Sequence, residues 1–186
     1  MHYMKIKRVI GLVVLLIVAG VALASIPAAR ANDDNQPPVL PSPTCDNLQA
    51  PPGNEVAFHA YARGVQIYRW NGSSWGFVAP DARLFASANY HGEIGIHYAG
   101  PTWESYGGSK VRASRVAGCA SPDPTAIDWL LLRAVETAGP GVFSSVTYIQ
   151  RVNTTGGKAP TTPGSFIDEV VDVPYTAEYY FYRAED

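Results

Sequence analysis

The sequence is poor in charge, in histidine and in cysteine, and each shortage excludes a class of protein. It has 186 residues, with 14 Lys and Arg against 16 Asp and Glu, so no positive excess marks a nucleic-acid-binding protein. Charged residues make up 16% and apolar residues 47% of the chain, a balance that excludes a wholly disordered protein. The length predicts one domain with at most a short appendage.

Familiar catalytic motifs are also missing from the sequence. It contains no Gly-x-Ser-x-Gly, no His-Glu-x-x-His and no phosphate-binding glycine loop, and no cysteine stands where a free nucleophile would. We therefore predict no cofactor. Of the four histidines, only His59, His91 and His97 lie beyond the amino-terminal apolar run, so any histidine-dependent mechanism has to use one of them.

The amino terminus has the pattern of a secretory signal. Basic residues within 5–8 precede an uncharged apolar run over 9–24. Small residues permit cleavage after Ala24 or after Ala31, and the second site gives a signal peptide of residues 1–31. The alternative is an uncleaved anchor, because the apolar segment is about long enough to span a bilayer. We expect a secreted protein, extracellular or in the cell envelope, that touches a membrane only through such an anchor.

The mature chain has two predicted parts. Residues 32–44 combine four prolines with polar residues and predict a disordered tether, and residues 45–186 predict a single β-rich domain. An exported protein meets an oxidising compartment, so a Cys45–Cys119 disulfide is expected.

The alternation of residues predicts antiparallel strands. Residues 55–70 alternate in polarity, with a phase shift at Gly64 that is typical of a bulge. Asn71-Gly72 offers two positive-φ positions for a tight hairpin turn. Further strands are expected at 92–99, 110–116, 142–151, 167–173 and 175–183.

One α-helix is predicted between these strands. Asp123 can cap it, Pro124 suits its first position, and Gly139-Pro140 ends it. Its apolar stripe comprises Ile127, Leu130, Leu131, Ala134 and Val135. The expected fold is mainly β: an antiparallel β-sandwich or a small barrel with one packed α-helix.

Several consecutive strings carry a resemblance to a known family. They are GVQIYRW (64–70), WGFVAPDARLF (75–85), HYAGPTWE (97–104), AIDWLLLRAV (126–135) and VPYTAEYYFY (173–182). With them the chain resembles an uncharacterised family of secreted bacterial and fungal proteins, domain of unknown function 3455. The resemblance implies secretion and one compact domain, and no catalytic residue. Members labelled malate dehydrogenase suggest an activity that we reject, because this chain has no glycine-rich strand-to-helix turn.

The segment 97–104 concentrates polar and aromatic side chains at a strand end. Trp103 could stack on a sugar ring, with Thr102 and Tyr98 beside it, while His97 and Glu104 could serve as base and acid in a small hydrolase. The alternative interpretation is a structural corner in which Trp103 fills the core.

Two further clusters carry side chains suited to binding. Gln150, Arg151 and Asn153 end a strand and could hold a carboxylate or hydroxyl groups, or they could serve only the turn itself. His59, His91 and Glu93 could surround a divalent metal if their strands were neighbours. The alternative is a solvated polar face, and we assign no metal site.

The expected function is a binding module for glycan or cell-envelope material, with no nucleic-acid partner. Aromatic richness with polar strand ends and no catalytic set favours this hypothesis. One alternative is a small secreted hydrolase or metal-dependent enzyme that uses His97 and Glu104. Another is a surface protein-interaction domain without a small ligand.

Overall fold

The computed structural model describes residues 36–185. The predicted signal peptide, 1–31, lies outside the described residues, as does the first part of the predicted tether. Between residues 36 and 185 no helix is both long and apolar enough to cross a bilayer.

Eight antiparallel strands and one short 3-10 helix form the described part of the chain. The 3-10 helix is Asp46–Leu48, and the strands are β1 Asn54–Trp70, β2 Trp75–Phe85, β3 Glu93–Tyr98, β4 Thr102–Ser105, β5 Lys110–Cys119, β6 Trp129–Ala138, β7 Val146–Gly156 and β8 Val170–Ala184. Each strand pairs with the next in sequence, and β8 pairs with β1. The mainly β, antiparallel prediction is confirmed, and the strands form one ring-like sheet where a sandwich would have two.

The predicted α-helix is absent from residues 36–185, and its sequence forms a turn and then β6. Leu130, Leu132 and Ala134 pack on the cluster inside the ring, whereas Trp129 and Leu131 pack on a cluster outside it. Both faces of β6 are covered over residues 129–132, so the apolar residues there do not alternate with polar ones as they do in a half-buried strand. Their spacing instead resembles the apolar stripe of a helix, which is why a helix was predicted.

The predicted helix cap belongs to a turn. The Thr125 N–H donates to Asp123 Oδ1 at 2.8 Å, and the Ala126 N–H donates to the Asp123 carbonyl oxygen. An Asp that binds the backbone two residues on stabilises a turn as readily as a helix start. The Asp-Pro pair therefore correctly indicates a reversal of the chain, but the element that begins after the reversal is a strand.

The first hairpin is present with a different loop. The ends of β1 and β2 are paired, and the Asn71 N–H donates to the Ser74 carbonyl oxygen. Gly72 has φ 93°, but Asn71 is not in the left-handed region; its side-chain oxygen instead accepts from the Ser73 and Ser74 N–H groups. The loop is thus longer than the predicted two-residue turn.

Gly64 does not form the predicted bulge. It pairs in register with both neighbouring strands, and the register shifts in β1 occur at 56–58 and 67–68. A Cβ at Gly64 would lie 2.1 Å from the Asp81 carbonyl oxygen. Glycine is therefore needed here for the close approach of β1 to β2.

The ring is incomplete at one end. β3 and β4 are short, so β2 before Ala82 and β5 after Arg112 extend beyond them, and each pairs there with one neighbour only. The β3–β4 turn at 99–101 lies between these two extensions. An opening into the interior of the ring results.

The amino-terminal segment packs on the outside of β5, β6 and β7. Cys45 and Cys119 form the expected disulfide, with 5.5 Å between the two Cα atoms. Leu48 is fully buried in the same outer cluster, and Leu40 packs against it. Part of the predicted tether is therefore in contact with the domain.

Candidate ligand-binding site

A cavity of about 230 Å³ occupies the interior of the ring at its incomplete end. All eight strands contribute to its walls, as does the turn that joins β3 to β4. The lining residues are Gln66, Phe77, Val78, Ala79, Pro80, His97, Ala99, Gly100, Pro101, Trp103, Arg115, Leu130, Leu132, Arg151 and Tyr179. The walls are mostly apolar with a few polar groups, which is the usual composition of a small-molecule site.

Three rings form one wall of this cavity. The His97 imidazole stacks on the Trp103 indole, with centroids 4.2 Å apart and planes 11° apart. Tyr179 meets both rings edge-on, at 5.3 Å from His97 and 5.4 Å from Trp103. Since Trp103 is 1% exposed, it faces the interior and offers no surface platform.

His97 is held in one neutral form. Burial lowers its pKa to about 3, so the ring is uncharged at neutral pH. Its Nδ1 lies 2.9 Å from the Thr102 carbonyl oxygen, which can only accept a hydrogen bond. The proton therefore sits on Nδ1, and Nε2 keeps a lone pair that can accept.

One buried polar atom of the cavity wall, Trp103 Nε1, lacks a hydrogen-bond partner among the described residues. The hydroxyl groups of Tyr175 and Tyr179 interact with each other, that of Tyr175 also with Gln66 and that of Tyr179 also with Arg151. Burial raises the pKa of Tyr175 and of Tyr179, so both hydroxyl groups keep their protons at neutral pH. The wall of the cavity thus includes one unpaired donor, the Trp103 indole N–H, and one free acceptor, His97 Nε2.

Two arginines complete the site. Arg151 donates from Nε and Nη2 to the Asp128 carbonyl oxygen, at 3.2 and 2.8 Å. Arg115 belongs to β5, so β6 lies between it and Arg151 on β7. No carboxylate within residues 36–185 forms an ion pair with either guanidinium.

The structure separates the expected acid–base pair. His97 and Trp103 are directly paired across β3 and β4, as are Ile96 and Glu104. Because successive side chains point to opposite faces of a sheet, His97 faces the interior and Glu104 faces outward. The Glu104 carboxylate instead accepts a hydrogen bond from the Tyr98 hydroxyl at 2.7 Å.

The remaining candidates in segment 97–104 do not line this cavity. Thr102 is buried and donates from Oγ1 to the Ala99 carbonyl oxygen, which holds the β3–β4 turn. Its own carbonyl oxygen fixes the His97 ring. Tyr98 lies on the outer face. Of the five candidates in this segment, only His97 and Trp103 line the cavity.

The second cluster is divided in the same way. Arg151 faces the cavity, whereas Gln150 faces the outer cluster, donates from Nε2 to the Leu48 carbonyl oxygen and accepts from Tyr182 Oη. Asn153 is exposed in the irregular part of β7, where φ is 49°. Neither amide lines the cavity.

The three candidate metal ligands are dispersed. His59 Nε2 lies 3.1 Å from Glu178 Oε2 and its ring stacks on Tyr180. Glu93 binds Arg83 and Tyr106, and His91 lies in the preceding loop. Within 36–185, no three His, Cys, Asp or Glu side chains are grouped to hold a metal ion.

Sequence reasoning missed Gln66 and Arg115 as candidate site residues. Gln66 comes after Ala60, Ala62 and Gly64 on the inward face of β1, and a polar residue in that series signals a buried site. The assumed bulge at Gly64 hid this signal, because it moved Gln66 to the opposite face.

A model of a family described as "Protein of unknown function (DUF3455)" matches residues 51–183. No curated protein and no solved structure matches the chain.

Proposed function

We propose that this chain, which belongs to the family of unknown function DUF3455, is a binding module that takes a small ligand, or one end of a larger one, into the cavity of the ring. The observation that carries the proposal is the cavity itself, whose mostly apolar wall includes one buried donor, Trp103 Nε1, that has no hydrogen-bond partner among residues 36–185.

Such donors are costly to leave unpaired. A buried polar group without a partner costs about 1–3 kcal/mol of stability. A ligand that carries acceptors recovers this cost on binding, and the surrounding apolar walls gain from contact with its body. The free energy that an unpaired donor costs the free protein therefore contributes to the binding of such a ligand.

The size of the cavity sets the size of what can enter. An apolar cavity of about 150 Å³ holds a benzene molecule. At about 230 Å³, this cavity holds a group of roughly one substituted ring. The occupant is a small molecule or the terminal unit of a longer chain.

A glycan or other cell-envelope material can be the ligand in this proposal if one end of it enters the cavity. Trp103 can contact a sugar ring only inside the cavity, so a glycan would have to insert its terminal residue. The disulfide is consistent with export, which we propose together with this role. The separated His97 and Glu104 give no support to the alternative of a hydrolase.

Isothermal titration of the full, oxidised chain tests the proposal. The probes are glucose, N-acetylglucosamine, glucuronate, phenylacetate and phenylacetamide. Trp103→Phe removes the indole N–H from the cavity and keeps an aromatic ring. Trp129→Phe is the matched control, because its Nε1 is also buried and unpartnered among residues 36–185 but lies in the outer cluster.

We expect at least one probe to bind the unmodified chain. Loss of one hydrogen bond should weaken that binding about 3- to 10-fold in Trp103→Phe and leave it unchanged in Trp129→Phe. Binding of no probe, or equal binding by all three chains, would contradict the proposal.

A further inference from the structure

We infer that the ligand of this cavity is a small organic carboxylate, whose charged end is held between Arg115 and Arg151 and whose apolar body lies against Trp103. The inference rests on the proposed function and narrows it to one ligand class. Three independent features of the site lead to it: its charge, the arrangement of its arginines and the chemistry of its walls.

The charge of the cavity has one sign. Among residues 36–185, Arg115 and Arg151 are the only residues lining this cavity that are ionised at neutral pH, and no Asp or Glu of that range lines it. Neither guanidinium has a carboxylate partner in the described part of the chain. A site with two unneutralised cations selects for an anion.

The arginines lie where the cavity opens outward. A second, more open space of about 440 Å³ adjoins it, and both spaces are lined by Gln66, Phe77, Arg115, Leu130 and Arg151. The outer space is also lined by Lys158, whose Nζ donates to the Pro124 carbonyl oxygen, and by one acidic residue, Asp128, so three cationic residues stand against one acidic residue there. An anionic group at this junction can stay partly hydrated while the rest of the ligand is buried.

Arg151 is already oriented for such a group. Two of its N–H groups are fixed on the Asp128 carbonyl oxygen, and Arg carries five in all. Those that remain can bind a carboxylate. The positive charge of Arg151 also lowers the pKa of His97, Tyr175 and Tyr179, although burial raises the pKa of the two tyrosines by more. The electrostatic field of Arg151 therefore reaches the interior of the ring.

The walls disfavour a ligand that is polar throughout. Phe77, Val78, Pro80, Leu130 and Leu132 supply apolar contact and no side-chain hydrogen bond. A neutral sugar would have to bury several hydroxyl groups against them without partners, which weakens binding at each such group. An aromatic or short aliphatic acid has one polar end, and that end lies at the arginines.

Pairs of acids and their amides test the inference by isothermal titration with the full, oxidised chain. The pairs are phenylacetate with phenylacetamide and octanoate with octanamide, and inorganic phosphate is added as an anion without an apolar body. Arg115→Gln and Arg151→Gln each remove one cation from the site. Arg133→Gln is the matched control, because Arg133 is exposed, belongs to the same sheet and lines neither space.

We expect an acid to bind at least about tenfold more tightly than its amide, since a hydrogen bond to a charged group is stronger than a neutral one. Each of the two site variants should weaken that binding about tenfold or more, and Arg133→Gln should not. Circular dichroism checks that each variant is folded. Arg115→Gln is informative by itself, because Arg115 has no ion-pair partner to lose among residues 36–185.

The other outcomes each overturn the inference in a recognisable way. Equal binding of acid and amide, with no effect of the arginine variants, would refute the carboxylate and leave the proposed binding function standing. Binding of phosphate alone would show an anion site without the apolar partner. Binding of none of these probes would refute the carboxylate, and binding of a sugar in the earlier titration would then show that the binding function survives it.

Discussion

Acid should destabilise this protein through His97 before its carboxylates titrate. The imidazole is fully enclosed between Trp103 and Tyr179, and burial lowers its pKa to about 3. In the unfolded chain the same group titrates near its ordinary value of about 6.5. As the pH falls below about 6.5, the unfolded state binds a proton that the folded state refuses, so the free energy of unfolding decreases.

The size of the effect can be worked out from the two pKa values. At about pH 5 the His97 imidazole is almost fully protonated in the unfolded chain and neutral in the folded chain. This difference lowers the free energy of unfolding by about 2 kcal/mol relative to a chain without the imidazole. The loss grows by about 1.4 kcal/mol for each further unit down to about pH 3, where the folded ring also takes a proton.

Urea unfolding at about pH 7, 6 and 5 measures this cost. His97→Gln removes the titration and fills much of the same space, so its free energy of unfolding should depend less on pH than that of the unmodified chain. The difference between the two chains should change by about 2 kcal/mol over this range. Titrating carboxylates, such as Glu93 with its lowered pKa, are common to both chains and cancel.

A constant difference between the two chains across this range would refute the reasoning. It would mean that the His97 ring accepts a proton in the folded state near its ordinary pKa, and hence that water reaches it. The buried, neutral His97 ring described above would then be wrong.

Three structural substitutions give further expected outcomes. The Cys45→Ser, Cys119→Ser double variant opens a covalent loop of 74 residues and should lower the free energy of unfolding by about 4 kcal/mol in urea titration; an unchanged midpoint would contradict this. Gly64→Ala should lower the melting temperature and reduce the free energy of unfolding by about 1–3 kcal/mol, because the new Cβ would lie 2.1 Å from a carbonyl oxygen of β2. Gly76→Ala is the control and should be tolerated, because the nearest atom to its new Cβ is 3.7 Å away. Equal melting temperatures of the two variants would show that β1 and β2 are farther apart. Gln150→Leu should cost about 1–3 kcal/mol in unfolding and leave ligand affinity unchanged, since its hydrogen bonds are on the outer face; a lost affinity would place it in the site.

Much of the fold could be predicted from local patterns. Alternation identified most of β1, and the Asn-Gly pair identified the first hairpin. Those signals arise within a few residues, where one face of a strand is buried and the other is not. β6 lacks such a signal, because the disulfide-linked segment covers its outer face and the alternation disappears. That covering segment is distant from β6 in the sequence, so no local pattern reports it.

The candidate site could be predicted only in part. His97, Trp103 and Arg151 are candidates from the sequence and do line the cavity. Glu104 directly follows Trp103 and Gln150 directly precedes Arg151, so both point to the other face of the sheet. Residues that are adjacent in the sequence were predicted to form one cluster, but in a strand their side chains lie on opposite faces of the sheet. Gln66 and Tyr179 joined the site from distant strands, which only the pairing of β1 with β8 brings together.

The central claim is that a ligand enters the cavity and lies beside Trp103. A ¹⁵N–¹H correlation spectrum tests it most directly, since the four tryptophans give four indole signals and Trp103→Phe identifies one of them. Addition of phenylacetate should move the Trp103 signal, because the ring of the ligand lies against the indole, while the Trp129 signal in the outer cluster stays in place. A ligand that binds but leaves the Trp103 signal unmoved, or moves the Trp129 signal instead, would contradict the account.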